Sequence, residues 1–390
     1  MRRTVRRTAR SRSTAAVAVV TAALTLAACG SGDDGGGGGG GGGGTDAASA
    51  TSAEDFGGMD ALVEAAQAEG ELNVIALPPD WANYGEMMET FTEKYGIQIN
   101  SASPNGSSQD EINAVTSQRG QDRAPDVLDL GTSFARQAQA QDLLAPYRVE
   151  TWEEIPEGQK DPEGHWYNDY GGYISIGCNA SVVAECPTTM ADLLEPQYAG
   201  QVALNGNPTQ AAAAFAGVWA AALANGGRLD DIGPGIDFFA EVKAVGNFNP
   251  VEITPATIQS GETPIAIDWD YLNASFTETF AEQGVEWEVH VPTDGLFGGY
   301  YSQAISRYAP HPAAARLWQE FLYSDEGQNI WLRGGARPVR LPAMEEAGTA
   351  DQEALGTLPP VEGTAGFPTQ EQESAAQQVV AARWNAEISG

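Results

Sequence analysis

The tetrapeptide Asp-Trp-Asp-Tyr at 268–271 places two carboxylates beside two aromatic rings. It follows an apolar run at 263–268 that predicts a strand, and ligands in open α/β sheets bind beyond the carboxyl ends of strands. A carboxylate next to an aromatic face suits an organic cation. We therefore predict that at least one of the two candidates Asp268 and Trp269 lines a binding cleft, whereas Asp270 could simply cap the helix that begins near 271.

A second acid lies among aromatic residues in the segment Pro-Asp-Trp-Ala-Asn-Tyr at 79–84, directly after the first predicted strand. An exposed Asp80 beside the Trp81 indole would attract a cation through its charge and through the ring face. The alternative is structural, with Asp80 or Asn83 capping a helix and Trp81 packed inward. We predict ligand contacts from Asp80, Trp81 and Tyr84, with both interpretations open.

Three other loops favour the opposite charge. Asn-Gly-Ser-Ser at 105–108, Gly-Thr-Ser at 131–133 and Asn-Pro-Thr at 207–209 each precede a predicted helix. Free backbone N–H groups and hydroxyls at a helix start attract anions, although these are also ordinary capping sequences. If both kinds of loop face the cleft, a zwitterion would satisfy the amine site at Asp268 and the anion site. The candidates for the anion site are Ser107, Ser108, Thr132 and Thr209.

The elements that would position these loops alternate between short strands and amphipathic helices, which is the pattern of parallel α/β sheets. The predicted strands are 72–77, 97–100, 126–130, 172–176, 201–204, 263–268, 285–291 and 298–305. The predicted helices include 83–95, 210–225, 271–283, 312–323, 325–333 and 370–388, with others after 108 and 133.

The N-terminus has the parts of an export signal. Six arginines precede a short apolar stretch that ends in Leu-Ala-Ala-Cys at 26–29. The stretch is too short to span a bilayer as a helix, so it predicts a signal peptide at 1–28. The run resembles the bacterial lipobox, so we predict acyl chains on Cys29 and a lipid anchor at the extracytoplasmic face of the cell membrane. An ordinary signal peptide with an incidental Cys29 is the alternative. The glycine-rich region 29–58 predicts a flexible tether.

Charge and cysteine content limit the partners. The formal net charge of −33 argues against nucleic acid. It is compatible with cationic solutes or with a solubility adaptation to salty surroundings. Besides Cys29, the chain has Cys178 and Cys186, and in an oxidising compartment this close pair predicts a disulfide. A metal pair is the alternative, although no histidine is near either cysteine in sequence.

Two stretches carry a family resemblance. Residues 187–204 are similar to the segment P-x-T-W-A-D-L-L-x-P-x-Y-x-G-x-V, with Met190 where Trp is usual. Residues 311–328 are similar to the late helix pair of the same family. The chain thus resembles the extracytoplasmic solute-binding proteins of ABC importers, in the two-lobed type II group that includes iron, polyamine and phosphonate binders.

The resemblance implies an α/β, two-lobed type II periplasmic-binding-protein fold with two hinge crossovers, near 174–177 and 294–299. Lobe 1 would comprise 59–176 and 295–345, lobe 2 would comprise 177–294, and 346–390 would form a C-terminal tail with a final helix. A small-molecule solute would lie between the lobes and pass to the importer's membrane subunits. We expect no cofactor and a monomer.

The same resemblance bears on the tyrosines. Tyr300 and Tyr301 invite an iron interpretation, because iron binders of this group use adjacent tyrosines together with His and Glu. Here the pair lies on the family's return strand and no histidine follows the first strand, so we predict no metal site. We expect Tyr301 to face the cleft. Tyr170, in an aromatic cluster at 166–173, is expected either to pack at the hinge or to reach the ligand.

These observations predict a binding protein rather than an enzyme. The chain has no Gly-x-Ser-x-Gly, no His-Glu-x-x-His and no glycine-rich phosphate loop with lysine. The favoured ligand is an amine-bearing organic solute, either a polyamine or an aminoalkyl phosphonate. Ferric iron, an anion, and a role as a sensory receptor are the alternatives.

Overall fold

The computed structural model describes residues 47–363 and 365–388, which belong to one compact unit. The predicted signal peptide 1–28, the predicted lipid site Cys29 and the glycine-rich part of the predicted tether lie outside the described residues. Within the described ranges, no helix combines the length and the apolar character needed to cross a membrane.

Strands and helices alternate through much of the described chain, as the sequence predicts, but the strands that join the two lobes pair antiparallel rather than in the predicted parallel sheet. The strands are β1 Glu71–Ile75, β2 Gln98–Ala102, β3 Val127–Gly131, β4 Leu144–Ala145, β5 Tyr167–Asn179, β6 Val202–Leu204, β7 Phe248–Asn249, β8 Ile265–Trp269, β9 Trp287–His290, β10 Gly298–Ser306 and β11 Arg337–Pro338. The helices are α1 Met59–Glu69, α2 Tyr84–Tyr95, α3 Ser108–Ser117, α4 Thr132–Ala140, α5 Ala212–Ala224, α6 Gly233–Ala244, α7 Pro255–Gln259, α8 Asp270–Glu282, α9 Pro312–Leu322, α10 Asp325–Arg333, α11 Leu341–Ala347, α12 Gln352–Thr357 and α13 Gln370–Glu387.

Strand β5 joins two sets of strands. Its first half pairs with β10 and β11, and β10 in turn pairs with β3 and β4. Its second half pairs with β8 and β9, and β6 lies between β8 and β7. The partner changes from β10 to β8 between Tyr173 and Ile174. The fold is therefore mixed α/β with two lobes, as predicted. We keep the predicted bounds as working definitions of lobe 1 and lobe 2.

Glycines allow the strands to approach closely at this change of partner. A Cβ atom on Gly171 would lie 2.3 Å from the carbonyl oxygen of Gly299, and one on Gly172 would lie 2.3 Å from Oδ1 of Asp270. Both distances are far inside van der Waals contact, so a side chain at 171 would push β5 away from β10, and one at 172 would displace the carboxylate of Asp270.

Two helices of lobe 2 illustrate how the sequence sets burial. Helix α5 is apolar on all sides, and every residue from 213 to 222 is buried. It packs against α6, whose Phe238 and Phe239 are also buried. Helix α6 was not among the predicted helices. The Cys178–Cys186 disulfide is present in the same lobe, which confirms the predicted pairing.

The chain is folded before the predicted end of the tether. Residues 47–49 and 53–56 form short 3-10 helices, and Ala50 is fully buried. The guanidinium of Arg316, in α9, donates from Nε to the carbonyl of Ala50 at 2.8 Å and from Nη2 to the carbonyl of Ala48 at 3.0 Å. The structure thus places 47–58 against lobe 1 rather than in the tether predicted over 29–58. The sequence did not predict this docking, because the segment has few apolar residues and is held by its backbone carbonyls, which accept hydrogen bonds from Arg316.

Candidate functional site

A cavity of about 530 Å³ lies where loops of both lobes meet. Its walls come from the residues that follow β1, β2 and β6, from the ends of α3, α7 and α8, and from side chains on β3, β8 and β10. Six of the lining residues are acids, namely Asp80, Asp110, Glu111, Asp129, Glu252 and Asp268. Among the described residues that line it, none is lysine, arginine or histidine. The cavity therefore presents negative charge without a fixed positive partner.

Asp268 is the acid that lobe 2 buries in this wall. It occupies β8 and is 3% exposed. Its carboxylate accepts hydrogen bonds from Asn205 Nδ2 at 2.7 Å and from the backbone N–H of Trp269 at 2.8 Å. Burial raises the pKa of Asp268 to about 7, and these two neutral donors lower it only in part. A cation in the cavity would provide the charge compensation that the protein lacks.

Asp129 is the corresponding acid of lobe 1. It lies in β3 and is 5% exposed. Trp81 Nε1 donates to the hydroxyl of Tyr170 at 2.7 Å, and that hydroxyl donates to Asp129 Oδ2 at 2.8 Å. In the part of the chain that the structure describes, the other carboxylate oxygen, Oδ1, is buried without a hydrogen-bond partner. Because this oxygen is buried, Asp129 would act on a ligand through its charge rather than through a hydrogen bond to Oδ1.

A second buried carboxylate lies against Asp129. Glu111, in α3, accepts the backbone N–H of Asp129 at 2.9 Å. Burial raises the pKa of Asp129 to about 7, while the hydroxyls of Tyr170 and Tyr84 lower it. Burial also raises the pKa of Glu111 well above its ordinary value, and the charge of Asp129 raises it further. The negative charge of one carboxylate opposes ionisation of the other, so a nearby cation would favour the ionised form of both.

The rings of Trp81 and Tyr301 form the wall between the two acids, and further aromatic rings pack behind them. The ring centroids of Trp81 and Tyr301 are 5.6 Å apart, and those of Tyr170 and Tyr301 are 5.7 Å apart with nearly parallel planes. Trp81, from lobe 1, also contacts Tyr271, from lobe 2, at 6.3 Å. Indole and phenol faces beside carboxylates give an ammonium or a protonated amine both charge and cation–π attraction.

The start of helix α3, one of the predicted anion sites, is occupied by the protein itself. The backbone N–H and the hydroxyl of Ser107 both donate to Asp110, at 3.0 and 2.8 Å. The hydroxyl of Ser108 accepts the backbone N–H of Gly131 at 3.2 Å. Because the Asp110 carboxylate already compensates the positive end of the helix, an external anion gains little there.

The structure brings six of the eleven predicted ligand residues to the cavity: Asp80, Trp81, Ser107, Ser108, Asp268 and Tyr301. The other five lie elsewhere. Tyr84 and Tyr170 are fully buried behind the wall. Thr132 and Trp269 line a smaller cavity of about 80 Å³. Thr209 is held in the turn before α5, where its backbone N–H and its hydroxyl donate to Asn207 Oδ1.

Local structure explains why some predicted ligand residues do not line the acidic cavity. Successive side chains of a strand point to opposite faces, so Asp268 and Trp269 cannot both face one cavity. The hydroxyl of Thr132 lies 3.0 Å from Asn168 Oδ1 and 3.0 Å from the carbonyl of Tyr300, so it is used within the fold.

Sequence reasoning missed Asp129, Glu111, Asn205 and Glu252. The signal for Asp129 was an acid inside the apolar strand Val-Leu-Asp-Leu at 127–130.

The histidines lie outside this wall. His165 pairs with Asp161, His290 with Glu288 and His311 with Asp126. In the described ranges, no group of three or more His, Cys, Asp and Glu side chains is arranged to hold a metal ion. Tyr300 and Tyr301 diverge, because Tyr301 lines the acidic cavity and Tyr300 lines the smaller one.

A family model described as bacterial extracellular solute-binding protein matches residues 122–357. This chain belongs to that family. The match covers β3 to α12 and so includes Asp129 and Asp268, whereas Glu111 precedes it. No curated protein sequence matches this solute-binding protein significantly.

Solved structures with the same two-lobed fold have low sequence identity. The periplasmic binding protein AfuA from Actinobacillus pleuropneumoniae, with fructose-6-phosphate bound, is 20% identical with a TM-score of 0.64, over 82% of this chain and 99% of that one. Iron-bound HitA from Pseudomonas aeruginosa is 19% identical with a TM-score of 0.58, over 80% and 99%. The Atu4243 GABA receptor is 19% identical with a TM-score of 0.60, over 82% and 97%. These neighbours bind chemically different ligands, so this similarity shows the fold alone.

The pKa of Asp268 predicts how the stability of the empty protein changes with pH. A buried carboxyl with a raised pKa keeps its proton in the folded state, so its stabilisation is complete below about pH 4 and is lost as the pH rises toward 7. We expect the free energy of unfolding of Asp268→Asn to rise relative to that of the wild type between about pH 4 and pH 7, by up to about 4 kcal/mol, and the difference to level off above pH 7.

The control is Asp122→Asn, an exposed aspartate of lobe 1. Its melting temperature should follow the wild type at each pH, as measured by scanning calorimetry without ligand. A difference between Asp268→Asn and wild type that stays constant over this range would contradict a buried, uncompensated carboxyl.

Proposed function

We propose that this solute-binding protein captures a small organic cation with two or more amine groups, a polyamine or a related diamine, and delivers it to the membrane subunits of an ABC importer. The cavity's six acids, without a lysine, arginine or histidine among the described lining residues, carry the proposal. Lipid attachment at Cys29, outside the described residues, would hold the protein at the extracytoplasmic face of the cell membrane.

The placement of the buried acids favours two positive groups over one. Asp129 belongs to a strand of lobe 1 and Asp268 to a strand of lobe 2. Among the described residues, the hydrogen-bond donors to each carboxyl are neutral, and burial raises its pKa to about 7. An ammonium near each carboxylate would favour the ionised form, and it would replace the hydration that the ligand loses. A dication would thus also hold the two lobes together.

Anionic ligands lack comparable support. A phosphate or a carboxylate in this cavity would face acids on several sides, and the N-terminus of α3 already binds Asp110. The aminoalkyl phosphonate considered from the sequence therefore ranks below a polyamine. The same repulsion by the cavity acids counts against sugar phosphates.

A thermal-melt screen of the secreted chain carrying Cys29→Ser tests the proposal. The panel comprises diamines and longer polyamines, quaternary amines, aminoalkyl phosphonates, phosphate, sulfate and ferric citrate. A ligand at about 100 times its Kd adds about 2.7 kcal/mol to the folded state, which shifts the melting temperature by several degrees. We expect shifts only with amines, and largest with those carrying two or more. Shifts confined to anions or to ferric citrate would contradict it.

Asp268→Asn should weaken binding of the best amine by at least about tenfold, or about 1.4 kcal/mol, because it removes the buried negative charge of lobe 2. Isothermal calorimetry at a pH near 8 measures this. Glu252→Gln is the matched control, since it removes one charge from the same cavity at an exposed position. Its effect should stay below about threefold because water and salt screen it. Equal effects of the two substitutions would show that only the bulk charge matters.

A further inference from the structure

The C-terminal segment, residues 359–363 and 365–388, lies beyond the family match at 122–357 and contacts both lobes. It leaves α12, passes the crossover beside Phe297, which forms a single bridge with Gly366, and ends in α13. Helix α13 contacts α4 of lobe 1 and α6 of lobe 2. We call this segment the C-terminal strap.

Lobe 1 holds the first part of the strap. Arg337 Nη2 donates to the carbonyl of Pro359 at 3.0 Å. The rings of Phe367 and Tyr300 are 5.8 Å apart. In the first turn of α13, Glu373 forms an ion pair with Arg136 of α4, and the two side chains are only 12% and 13% exposed. Removing one partner of such a buried ion pair leaves the other charge buried and unpaired, which costs free energy of folding.

Lobe 2 holds the last part of the strap mainly by packing. Trp384 is 3% exposed and its ring lies 5.4 Å from that of Phe239 in α6. Arg383 pairs with Asp237 of the same helix. Lys243 Nζ donates to the carbonyl of Ile388 at 2.7 Å. The apolar contacts make this end of α13 part of the core of lobe 2.

We infer that the C-terminal strap is a conformational restraint that biases the two lobes toward the arrangement in which its two ends are docked at once. Among the described residues, one connected segment makes both sets of contacts, so separation of α4 from α6 must detach one of its ends. The Arg136–Glu373 pair is the end that detaches, because its separation returns both charges to water, whereas the opposite end is packed with apolar side chains. This restraint acts with or without a solute, and it does not depend on the ligand that we propose.

The test measures the distance between the lobes directly. Spin labels are placed on cysteines introduced at two exposed serines, Ser117 in lobe 1 and Ser260 in lobe 2, in the secreted chain carrying Cys29→Ser. Electron–electron double resonance is recorded without ligand for wild type, Glu373→Lys and Glu371→Lys. Glu371 is the matched control, since it is also in the first turn of α13 but is exposed.

Glu373→Lys opposes Arg136 with a like charge, so we expect the ratio of separated to apposed lobes to rise by about tenfold or more. Glu371→Lys should leave the distance distribution unchanged. A chain ending at Leu358 is the second variant and should show the same or a larger separation. Circular dichroism and thermal melts establish that each variant is folded.

The proposal is overturned if the distances of folded Glu373→Lys match those of wild type, or if Glu371→Lys separates the lobes equally. If the truncated chain does not fold, the comparison of the two point variants still decides the question. Failure of every amine to bind would contradict the proposed function and leave this result unaffected.

Discussion

Uncompensated negative charge in a desolvated cavity is the constraint on which the structure of this site depends. Asp129 and Asp268 are nearly excluded from solvent, and their described partners are neutral hydroxyl and amide donors. A carboxylate kept in such surroundings costs free energy in the empty protein, which appears as a raised pKa. A bound cation would offset this free-energy cost, and carboxyls with strongly raised pKa values cluster at functional sites for this kind of reason.

The scaffold holds these charges apart and in place. Strand β5 runs through both lobes: it pairs with β8, which carries Asp268, and it is linked through β10 to β3, which carries Asp129. Tyr170 lies on β5 itself and links the Trp81 indole to Asp129 by two hydrogen bonds. The aromatic wall and the lobe 1 acid are therefore positioned by the same element that joins the lobes. Tyr170 contributes to the site through Asp129 rather than by lining the cavity.

The sequence predicted most of the fold because its strands and helices follow clear apolar patterns. The strand predicted at 126–130 is observed as Val127–Gly131, and the helix predicted at 312–323 as Pro312–Leu322. Asp268 was predicted from its place at a strand end, and the cavity includes it. Its role as a ligand-binding residue remains part of the proposal.

Other parts of the site depend on tertiary contacts that local patterns do not encode. Asp129 was overlooked because one acid in an apolar strand has no local signature of its partners. The sequence left Ser107 open as an anion site or a capping residue, because the contact of Asp110 with Ser107 depends on side-chain geometry rather than on composition. The two-lobe contacts of α13 were not predicted, since they join residues more than 100 positions apart.

The most direct test compares two ligands of similar length that differ in one terminal group and therefore in its charge. Butane-1,4-diamine carries an ammonium at both ends, whereas 4-aminobutyrate carries a carboxylate in place of one of them. Competitive calorimetry at a pH near 8 gives both affinities for the same protein. The account predicts that the diamine binds at least about tenfold more tightly, or about 1.4 kcal/mol. Equal or tighter binding of 4-aminobutyrate would contradict a cavity selective for cations.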